Sequence, residues 1–413
     1  MVRSRLAVWL VVASVLVSCS LSASNSSATR PTAVPTPVQT LDASATPSPR
    51  PVATDTPVPE EPTATICWRP LISGHDAGPS KPGVVHATWS PTDDRLLVDL
   101  DVTNGSRSDQ SVAEVTADGT IVAKYDGFAH GEWLDGDRIV LFSDTRNSTE
   151  TADVEFRTSD GDALPGADAF PQLDSADVMS SGHGALVNFG SSFRPFRYRV
   201  WTPDAVTAIQ DGYPVAWSPN GQNLAVLHVT KSGPGVSGWL EVVSWPDLGQ
   251  VYADKTTTVS DQFELDVAFS PTSRHLAYLG DEGIVAVDLA SGDRNAWSKT
   301  SPWGLFAWTA DDNLVVADAR TRKVATYEAD GRQVDAIDVS ADHVVASSDG
   351  SHLVAYVPSD IPPPVLAVIA GGALRLIDLP GQLLDPPAFS PGGMYITAVS
   401  DADHVPTVLI AGP

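Results

Sequence analysis

The stretch that decides the fold spans residues 214–227 and reads Pro-Val-Ala-Trp-Ser-Pro-Asn-Gly-Gln-Asn-Leu-Ala-Val-Leu. A short apolar segment ends at Trp217, and a second apolar segment begins at Leu224. Between them, Ser-Pro-Asn-Gly has the residues of a type I turn, with proline in the second position and glycine in the fourth. The stretch therefore predicts a β-hairpin whose second strand is covered on both faces.

The hairpin pattern recurs along the chain. Aligning the copies on Trp217 gives eight anchor residues: Trp89, Trp133, Met179, Trp217, Phe269, Trp308, Ala346 and Phe389. Their mean spacing of about 43 residues is the length of a four-stranded propeller blade. Two further strand-like segments follow most hairpins, and no helical periodicity appears after Val17. We therefore predict an all-β propeller of eight four-stranded antiparallel blades, with a seven-bladed ring and one fused hairpin as the alternative.

The two ends of the repeat region predict how the ring closes. After the eighth anchor the sequence supplies only two more strands, at residues 395–399 and 407–410. The unassigned apolar segment at residues 66–72 can complete that blade. We therefore predict that residues 66–68 lie on its outer edge, antiparallel to residues 407–410, which removes an exposed strand edge. Cys67 would lie in this strand, where we expect a buried thiol.

The N-terminal residues have the features of an export signal. Arg3 and Arg5 precede an apolar run of about 12 residues, which is too short to span a bilayer and is typical of a secretory signal. The run ends in Leu-Val-Ser-Cys, which resembles a bacterial lipobox, and Cys19 would then carry the lipid. An ordinary signal peptide with an incidental cysteine is the alternative. We predict a lipoprotein signal peptide at residues 1–18.

The residues after the signal divide into two regions. Residues 19–64 are rich in Pro, Thr, Ser and Ala, a composition that cannot bury enough apolar surface to offset the entropy of ordering. We expect a disordered stalk there, and the propeller at residues 65–413. An unselected spacer predicts the same disorder.

The charge and the cysteine count restrict the partners and the fold. The net charge is −26 and the isoelectric point is near 4.4. Such a charge argues against nucleic acid or an anionic membrane surface as a partner. With two cysteines in 413 residues, no disulfide framework is expected.

The repeated hairpin resembles that of the TolB-like and WD-repeat-like propellers. Four copies carry the resemblance best: residues 89–91, 217–221, 269–271 and 389–391. The second, third, sixth and seventh copies lack the Ser-Pro pair. The resemblance implies a scaffold that binds proteins or ligands, in which the motif residues form turns and packing and none is catalytic.

The sequence lacks the common catalytic motifs. We find no Gly-x-Ser-x-Gly elbow, Gly-rich phosphate loop, Cys-x-x-Cys pair or His-Glu-x-x-His motif. We therefore expect no catalytic residues and no cofactor. The partner would be an envelope or extracellular protein.

Metal sites are the weaker interpretation of two residue patterns. His86, His130, Asp266 and His343 each stand three residues before an anchor, at the start of a predicted inner strand. Three imidazoles and a carboxylate suit a transition metal, but we expect these four to be solvated residues at one opening of the central channel. Calcium is the alternative for acidic pairs such as Asp135 and Asp137. None of these pairs has calcium-loop spacing, and turn residues are expected.

Two tryptophans are candidates for a binding role. Trp239 and Trp245 lie close together in the fourth repeat interval, which is the longest interval and contains an extended loop at residues 231–238. Exposed there, their rings could stack on a sugar or anchor a protein. Core packing is the alternative for at least one of them.

Together these patterns predict a non-catalytic lipoprotein, anchored on the outward face of a bacterial cell membrane, whose propeller is a protein-interaction scaffold. The alternative is a propeller that binds a ligand or acts as an enzyme, for example on carbohydrate. Two carboxylates that converge on the channel would favour this alternative.

Overall fold

A computed structural model describes fifteen stretches of the chain: residues 67–73, 82–104, 107–143, 154–165, 178–188, 196–231, 237–258, 267–280, 283–296, 306–318, 321–341, 343–356, 365–370, 373–401 and 406–412. The predicted signal peptide, Cys19, the predicted stalk and Asp266 lie outside these residues. None of the described residues forms a helix, so none belongs to a helix long and apolar enough to cross a membrane.

The described strands form eight four-stranded sheets. The first strand of the chain is β1 (Cys67–Ser73). Blade 1 consists of β2 (Pro82–Trp89), β3 (Arg95–Asn104), β4 (Arg107–Thr116) and β5 (Ile121–Asp126). Blade 2 consists of β6 (His130–Trp133), β7 (Arg138–Phe142), β8 (Val154–Thr158) and β9 (Ala163–Leu164). Blade 3 consists of β10 (Val178–Ser180), β11 (Leu186–Asn188), β12 (Arg197–Trp201) and β13 (Gln210–Asp211). Blade 4 consists of β14 (Tyr213–Trp217), β15 (Asn223–Lys231), β16 (Ser237–Ser244) and β17 (Gln250–Thr258).

The second half of the chain repeats the pattern. Blade 5 consists of β18 (Val267–Phe269), β19 (His275–Gly280), β20 (Gly283–Asp288) and β21 (Arg294–Ala296). Blade 6 consists of β22 (Phe306–Trp308), β23 (Leu314–Asp318), β24 (Lys323–Tyr327) and β25 (Gln333–Ile337). Blade 7 consists of β26 (His343–Ala346), β27 (His352–Tyr356), β28 (Val365–Ala370) and β29 (Ala373–Asp378). Blade 8 consists of β30 (Leu383–Phe389), β31 (Ile396–Ser400), β32 (Thr407–Gly412) and β1.

The predicted fold class and blade number are confirmed: the chain is an eight-bladed β-propeller. Each of the eight anchor residues lies in the first strand of its blade. The first strands of neighbouring blades contact one another, as β18 and β22 do, so they form the inner ring. The seven-bladed alternative is wrong because the weakest copy, around Met179, forms the four strands of blade 3.

The predicted closure is also confirmed, since β1 is the hydrogen-bonded neighbour of β32. The strand begins at Cys67. β1 also packs on blade 1: the Arg69 guanidinium donates to the carbonyl oxygen of Ala117, and Ile72 is buried among blade 1 and blade 8 residues. The closing strand therefore joins the first blade to the last.

The core lies between blades. Seven clusters of buried apolar residues each combine residues of two adjacent blades. The cluster between blades 5 and 6, for example, contains Ala277, Ile284, Phe306 and Trp308. The second strand of a blade is covered on both faces, so residues 314–317 are all buried. Burial on two faces accounts for the continuous apolar runs that the sequence shows.

The anchor tryptophans link neighbouring blades. The indole nitrogen of Trp308 donates to the carbonyl oxygen of Ala268 at 2.9 Å, and that of Trp133 donates to Thr88 at 3.3 Å. The indole of Trp89 donates to Thr397 Oγ1 at 3.0 Å and to the Ala388 carbonyl at 3.3 Å. Each carbonyl acceptor is the residue just before the anchor of the preceding blade.

Trp217 departs from this arrangement. Its ring is partly buried and meets Trp245 edge-on, with ring centroids 6.2 Å apart. Its indole nitrogen is buried and has no hydrogen-bond partner among the described residues. The preceding blade is the weakest copy, in which Met179 replaces the aromatic anchor.

This difference between the anchors predicts an order of stability. We expect Trp308→Phe to lower the free energy of unfolding by about 1 kcal/mol more than Trp217→Phe, because Trp308→Phe removes the hydrogen bond of the indole to the Ala268 carbonyl and Trp217→Phe removes no such bond. Trp133→Phe should resemble Trp308→Phe. Urea unfolding of the three variants measures this order, and equal losses in all three would contradict it.

Candidate functional site

The serine of the repeated motif holds the turn between the first two strands of a blade. Ser218 Oγ accepts the amide of Asn223 at 2.8 Å, while the Ser218 carbonyl accepts the amide of Gly221 at 2.8 Å. Blades 5, 7 and 8 repeat the side-chain bond, with Ser270, Ser347 and Ser390 accepting from the amides of His275, His352 and Tyr395. These serines are almost completely buried. They are structural acceptors, which agrees with the absence of a nucleophile motif.

The turns contact one another around the ring. The following bonds each join two neighbouring blades: Arg95 to the Gly136 carbonyl at 2.8 Å, the Gly184 amide to the Leu134 carbonyl at 2.6 Å, His183 Nε2 to the Pro219 carbonyl, the Asn220 amide to Ser273 Oγ at 3.1 Å, the Thr272 hydroxyl to Asp312 at 2.5 Å, and the Ser348 hydroxyl to the Pro391 carbonyl at 2.5 Å. The turns therefore form one continuous surface, which we call the turn face.

Blades 6 and 7 meet on this face at a glycine. A Cβ on Gly350 would lie 2.1 Å from the backbone nitrogen of Ala310, and Gly350 has a φ of +69°. Both the space and the backbone conformation therefore require glycine. The glycine of the motif therefore allows the turns of blades 6 and 7 to pack closely against each other.

The turn face surrounds a cavity of about 640 Å³, which we call the mouth. Turn residues of six blades line it: Trp89, Ser90, Pro91, Thr92, Asp135, Ser181, Gly182, His183, Pro219, Ser348, Phe389 and Pro391. Pro91 and Pro219 are exposed, and Phe389 is half-buried. The mouth is thus a largely apolar depression with hydroxyl groups on its rim.

The mouth offers few groups for chemistry. Among the described residues that line it, Asp135 is the one carboxylate, and its Oδ2 atom accepts from Arg138 Nε at 2.7 Å. Glycoside hydrolysis requires two carboxyl groups that flank the bond to be broken. The imidazole of His183 is hydrogen-bonded to the carbonyl oxygen of Pro219. The lining suits contact with a bound chain better than acid–base catalysis.

The structure brings two of the four metal candidates together. The rings of His86 and His130 are 5.7 Å apart, where blades 1 and 2 meet. His86 Nδ1 lies 2.9 Å from Asp385 Oδ2, and His130 lies 2.6 Å from Asp99 and 3.1 Å from Glu132. These are ion pairs within the blade walls.

The remaining candidates lie elsewhere. His343 stacks on Tyr356 of its own blade, with ring centroids 5.1 Å apart, and Asp266 lies outside the described residues. Within the described residues, no group of three or more His, Cys, Asp or Glu is arranged to hold a metal ion. Of the acidic pairs considered for calcium, Asp135 and Asp137 lie in the blade 2 turn, where the Asp137 amide donates to the Asp135 carboxylate.

The neighbouring carboxylates raise the pKa of both histidines. Although burial alone would lower the pKa of His130, its hydrogen bonds with Asp99 and Glu132 raise the pKa to about 10. The hydrogen bond with Asp385 raises the pKa of His86. Because Asp385 belongs to blade 8, the hydrogen bond between His86 and Asp385 links the first blade to the last.

The two candidate tryptophans have different surroundings. Trp239 stacks on His228 of the neighbouring strand, with ring centroids 3.9 Å apart. His228 Nε2 in turn lies 2.8 Å from Glu241. Trp245 packs against the apolar cluster between blades 3 and 4. Neither residue lines the mouth, and a binding role for them remains a prediction.

Sequence reasoning missed the mouth and the ion pairs. Several residues of the mouth belong to the repeated hairpin motif, whose residues the sequence predicts to form turns and packing, and only the topology shows that six turns meet. Asp385 is 299 residues from His86, and no local pattern relates the two. The position of His86 three residues before an anchor was a usable signal, because it placed the side chain in an inner strand.

The His130 cluster predicts a pH dependence of stability. The pKa of His130 is higher in the folded state, about 10 against an ordinary value of 6.5. Its contribution to the free energy of unfolding is therefore complete below about pH 6.5 and is lost as the pH rises toward 10. We expect urea unfolding to show a steeper loss of stability over this range for the wild-type protein than for His130→Gln. Parallel pH profiles would refute this assignment.

No family model matches the sequence, and no curated protein matches it. Solved structures do match the fold. One is a eukaryotic initiation factor, with a TM-score of 0.54 and 11% identity over 78% of this chain and 82% of that one. Another is Sqt1 of Chaetomium thermophilum bound to the N-terminus of ribosomal protein L10, with a TM-score of 0.50 and 15% identity over 80% of this chain and 97% of that one. Such similarity shows the fold: an eight-bladed β-propeller that resembles WD-repeat proteins.

Proposed function

We propose that this protein is a non-catalytic scaffold that binds a partner protein at the mouth of its turn face. The observation that carries the proposal is the mouth itself, a cavity of about 640 Å³ formed by the turns of six blades. Its exposed prolines and aromatic rings give apolar contact area, and its hydroxyl groups give hydrogen-bonding positions at the rim. Such a combination of apolar surface with a few polar groups is typical of recognition sites.

The rigidity of the turn face supports this proposal. Hydrogen bonds between neighbouring turns hold the lining residues, so little conformational entropy is lost when a partner binds. A related architecture is known to bind a protein segment, since Sqt1 was solved with the N-terminus of a ribosomal protein. That similarity supports protein binding in general and says nothing of where this chain binds.

The proposal includes a location. We propose that residues 1–18 direct export, that Cys19 carries a lipid, and that residues 19–64 form a stalk that holds the propeller outside a bacterial cell membrane. The support is the sequence pattern: a short basic region, an apolar run of about 12 residues, the Leu-Val-Ser-Cys ending and the Pro-rich segment after it. The partner is then an envelope or extracellular protein.

Replacing Cys19 tests the anchor. We expect Cys19→Ala to move the protein from the membrane fraction to the soluble fraction, or to leave the signal peptide uncleaved, because no thiol remains to carry the lipid. Fractionation and mass spectrometry of the mature N-terminus measure both outcomes. A mature N-terminus at an unmodified residue other than Cys19 would rule out the lipid anchor.

Site-specific photocrosslinking tests the binding proposal. A crosslinkable residue in place of Pro219, in the mouth, should capture one partner in the cells that produce the protein. The same residue in place of Pro380 is the control, because Pro380 is an exposed proline between β29 and β30, at the opposite strand ends, and does not line the mouth.

A variant that fills the mouth gives the second half of this test. Pro91→Trp places a large ring in the cavity and should abolish the Pro219 crosslink. Thermal unfolding checks that the Pro91→Trp protein is folded. Equal capture from both positions, or capture that survives Pro91→Trp, would contradict binding at the mouth.

A further inference from the structure

The turn face carries two concentric sets of turns. The inner turn of a blade joins its first and second strands, and the outer turn beside it joins the third and fourth strands. Backbone hydrogen bonds join the two sets in four blades: Ala117 to Asp94 at 3.0 Å, Ser159 to Asp137 at 2.7 Å, Trp245 to Gln222 at 2.7 Å, and Leu289 to Arg274 at 2.9 Å. A partner seated in the mouth therefore also meets the outer turns.

Exposed carboxylates occupy both sets. The inner turns contain Asp137, Asp311 and Asp349, all exposed, and the partly exposed Asp94. In blades 1 to 6 each outer turn contains an exposed aspartate: Asp118, Asp160, Asp204, Asp247, Asp293 and Asp330. The turn face thus carries negative charge on six consecutive blades.

The cations near these turns do not neutralise this charge. The arginines in or directly beside them pair with other carboxylates: Arg95 with Asp93 and Glu114, Arg138 with Asp135, Arg274 with Asp288, Arg294 with Asp254, and Arg332 with Glu328. Arg69 donates to the carbonyl oxygens of Ala117 and Asp118. None of the described turns on this face contains a lysine.

The opposite ends of the outer strands have a different charge pattern. Four exposed carboxylates lie there, and three of them have a basic partner: Asp126 pairs with Lys124 at 3.1 Å, Asp211 with Arg197 at 3.5 Å, and Asp338 with Lys323 at 3.6 Å, whereas Asp378 at the end of β29 has none in the described part of the chain. Among the described residues, most of the exposed aspartates without a basic partner therefore lie on the turn face. Such a distribution attracts and orients a cationic partner.

Local hydrogen bonds keep two of the turn aspartates ionised. The hydroxyl of Thr116 and the amide of Thr120 lower the pKa of Asp118. At Asp349 partial burial acts in the other direction, but hydrogen bonds from Ser347 and Ser351 lower the pKa. The negative charge of the turn face is thus maintained in mildly acidic surroundings.

We propose that the turn face binds an extended segment of a basic protein, with an apolar side chain of the segment in the mouth and its Lys or Arg side chains over the surrounding aspartates. The inference rests on the proposed function and names the chemistry of its partner. The apolar lining supplies the contact area, and the carboxylates supply the charge complementarity and the orientation.

The test compares two variants with the same change in charge. The first is the triple variant Asp94→Asn, Asp137→Asn and Asp311→Asn on the turn face. The second is Asp126→Asn, Asp211→Asn and Asp338→Asn at the opposite strand ends. Full-length protein in detergent is titrated with a labelled peptide of repeated Lys-Pro-Leu units, with a Glu-Pro-Leu peptide as the control for charge.

We expect the turn-face variant to bind the Lys-Pro-Leu peptide about tenfold more weakly than the wild type, because three weak, exposed charge pairs are lost together. The opposite-end variant should bind like the wild type. Added salt should weaken binding to the wild-type protein and have less effect on the turn-face variant. Equal losses in both variants would show nonspecific attraction to an acidic protein and overturn the inference.

The crosslinking experiment separates this inference from the proposed function. If the Pro219 crosslink persists in the turn-face triple variant, the mouth binds a protein but the aspartates do not select it, and the inference fails while the function stands. If no mouth-dependent crosslink forms in the wild type and the peptide does not bind, the proposed function fails as well. A weaker crosslink in the turn-face variant, with the control variant unchanged, is the result that we expect.

Discussion

The packing of inner strands against their neighbours is the interaction on which the propeller depends. The blades bury most of their apolar faces against their neighbours, and seven apolar clusters of the described residues each combine residues of two blades. The anchor indoles add a directional element, because each bonded indole reaches the carbonyl just before the anchor of the preceding blade. Apolar packing fixes the distance between blades, and these hydrogen bonds fix their relative position along the channel.

The same constraint explains how the turn face is built. The residues that form the turns are also the residues that join the blades, so the turn face is among the most connected surfaces of the described structure. Its serines are buried as hydrogen-bond acceptors, and its glycines allow one turn to approach the next. What remains exposed is a rim of prolines, hydroxyl groups and aspartates.

Much of the fold could be predicted from the sequence, because a four-stranded blade repeats its hairpin at a fixed spacing. Even the degraded copy around Met179 keeps this spacing, and strand counting alone identified residues 66–72 as the closing strand. The ion pair of His86 with Asp385 could not be predicted, since it depends on which strands meet when the ring closes. The mouth escaped prediction for the same reason. Each turn was recognised, but the surface belongs to six turns that are distant in sequence.

The pairing of β1 with β32 has a consequence for how the chain acquires its structure. β1 is the first of the described strands to be synthesised, and β32 is the last. The ring can therefore close only after every intervening blade is available, and this contact carries the full entropic cost of a long loop. Until then, both strands present unpaired edges that can join other chains. A cell that produces this protein must protect β1 from aggregation until the rest of the ring has been synthesised.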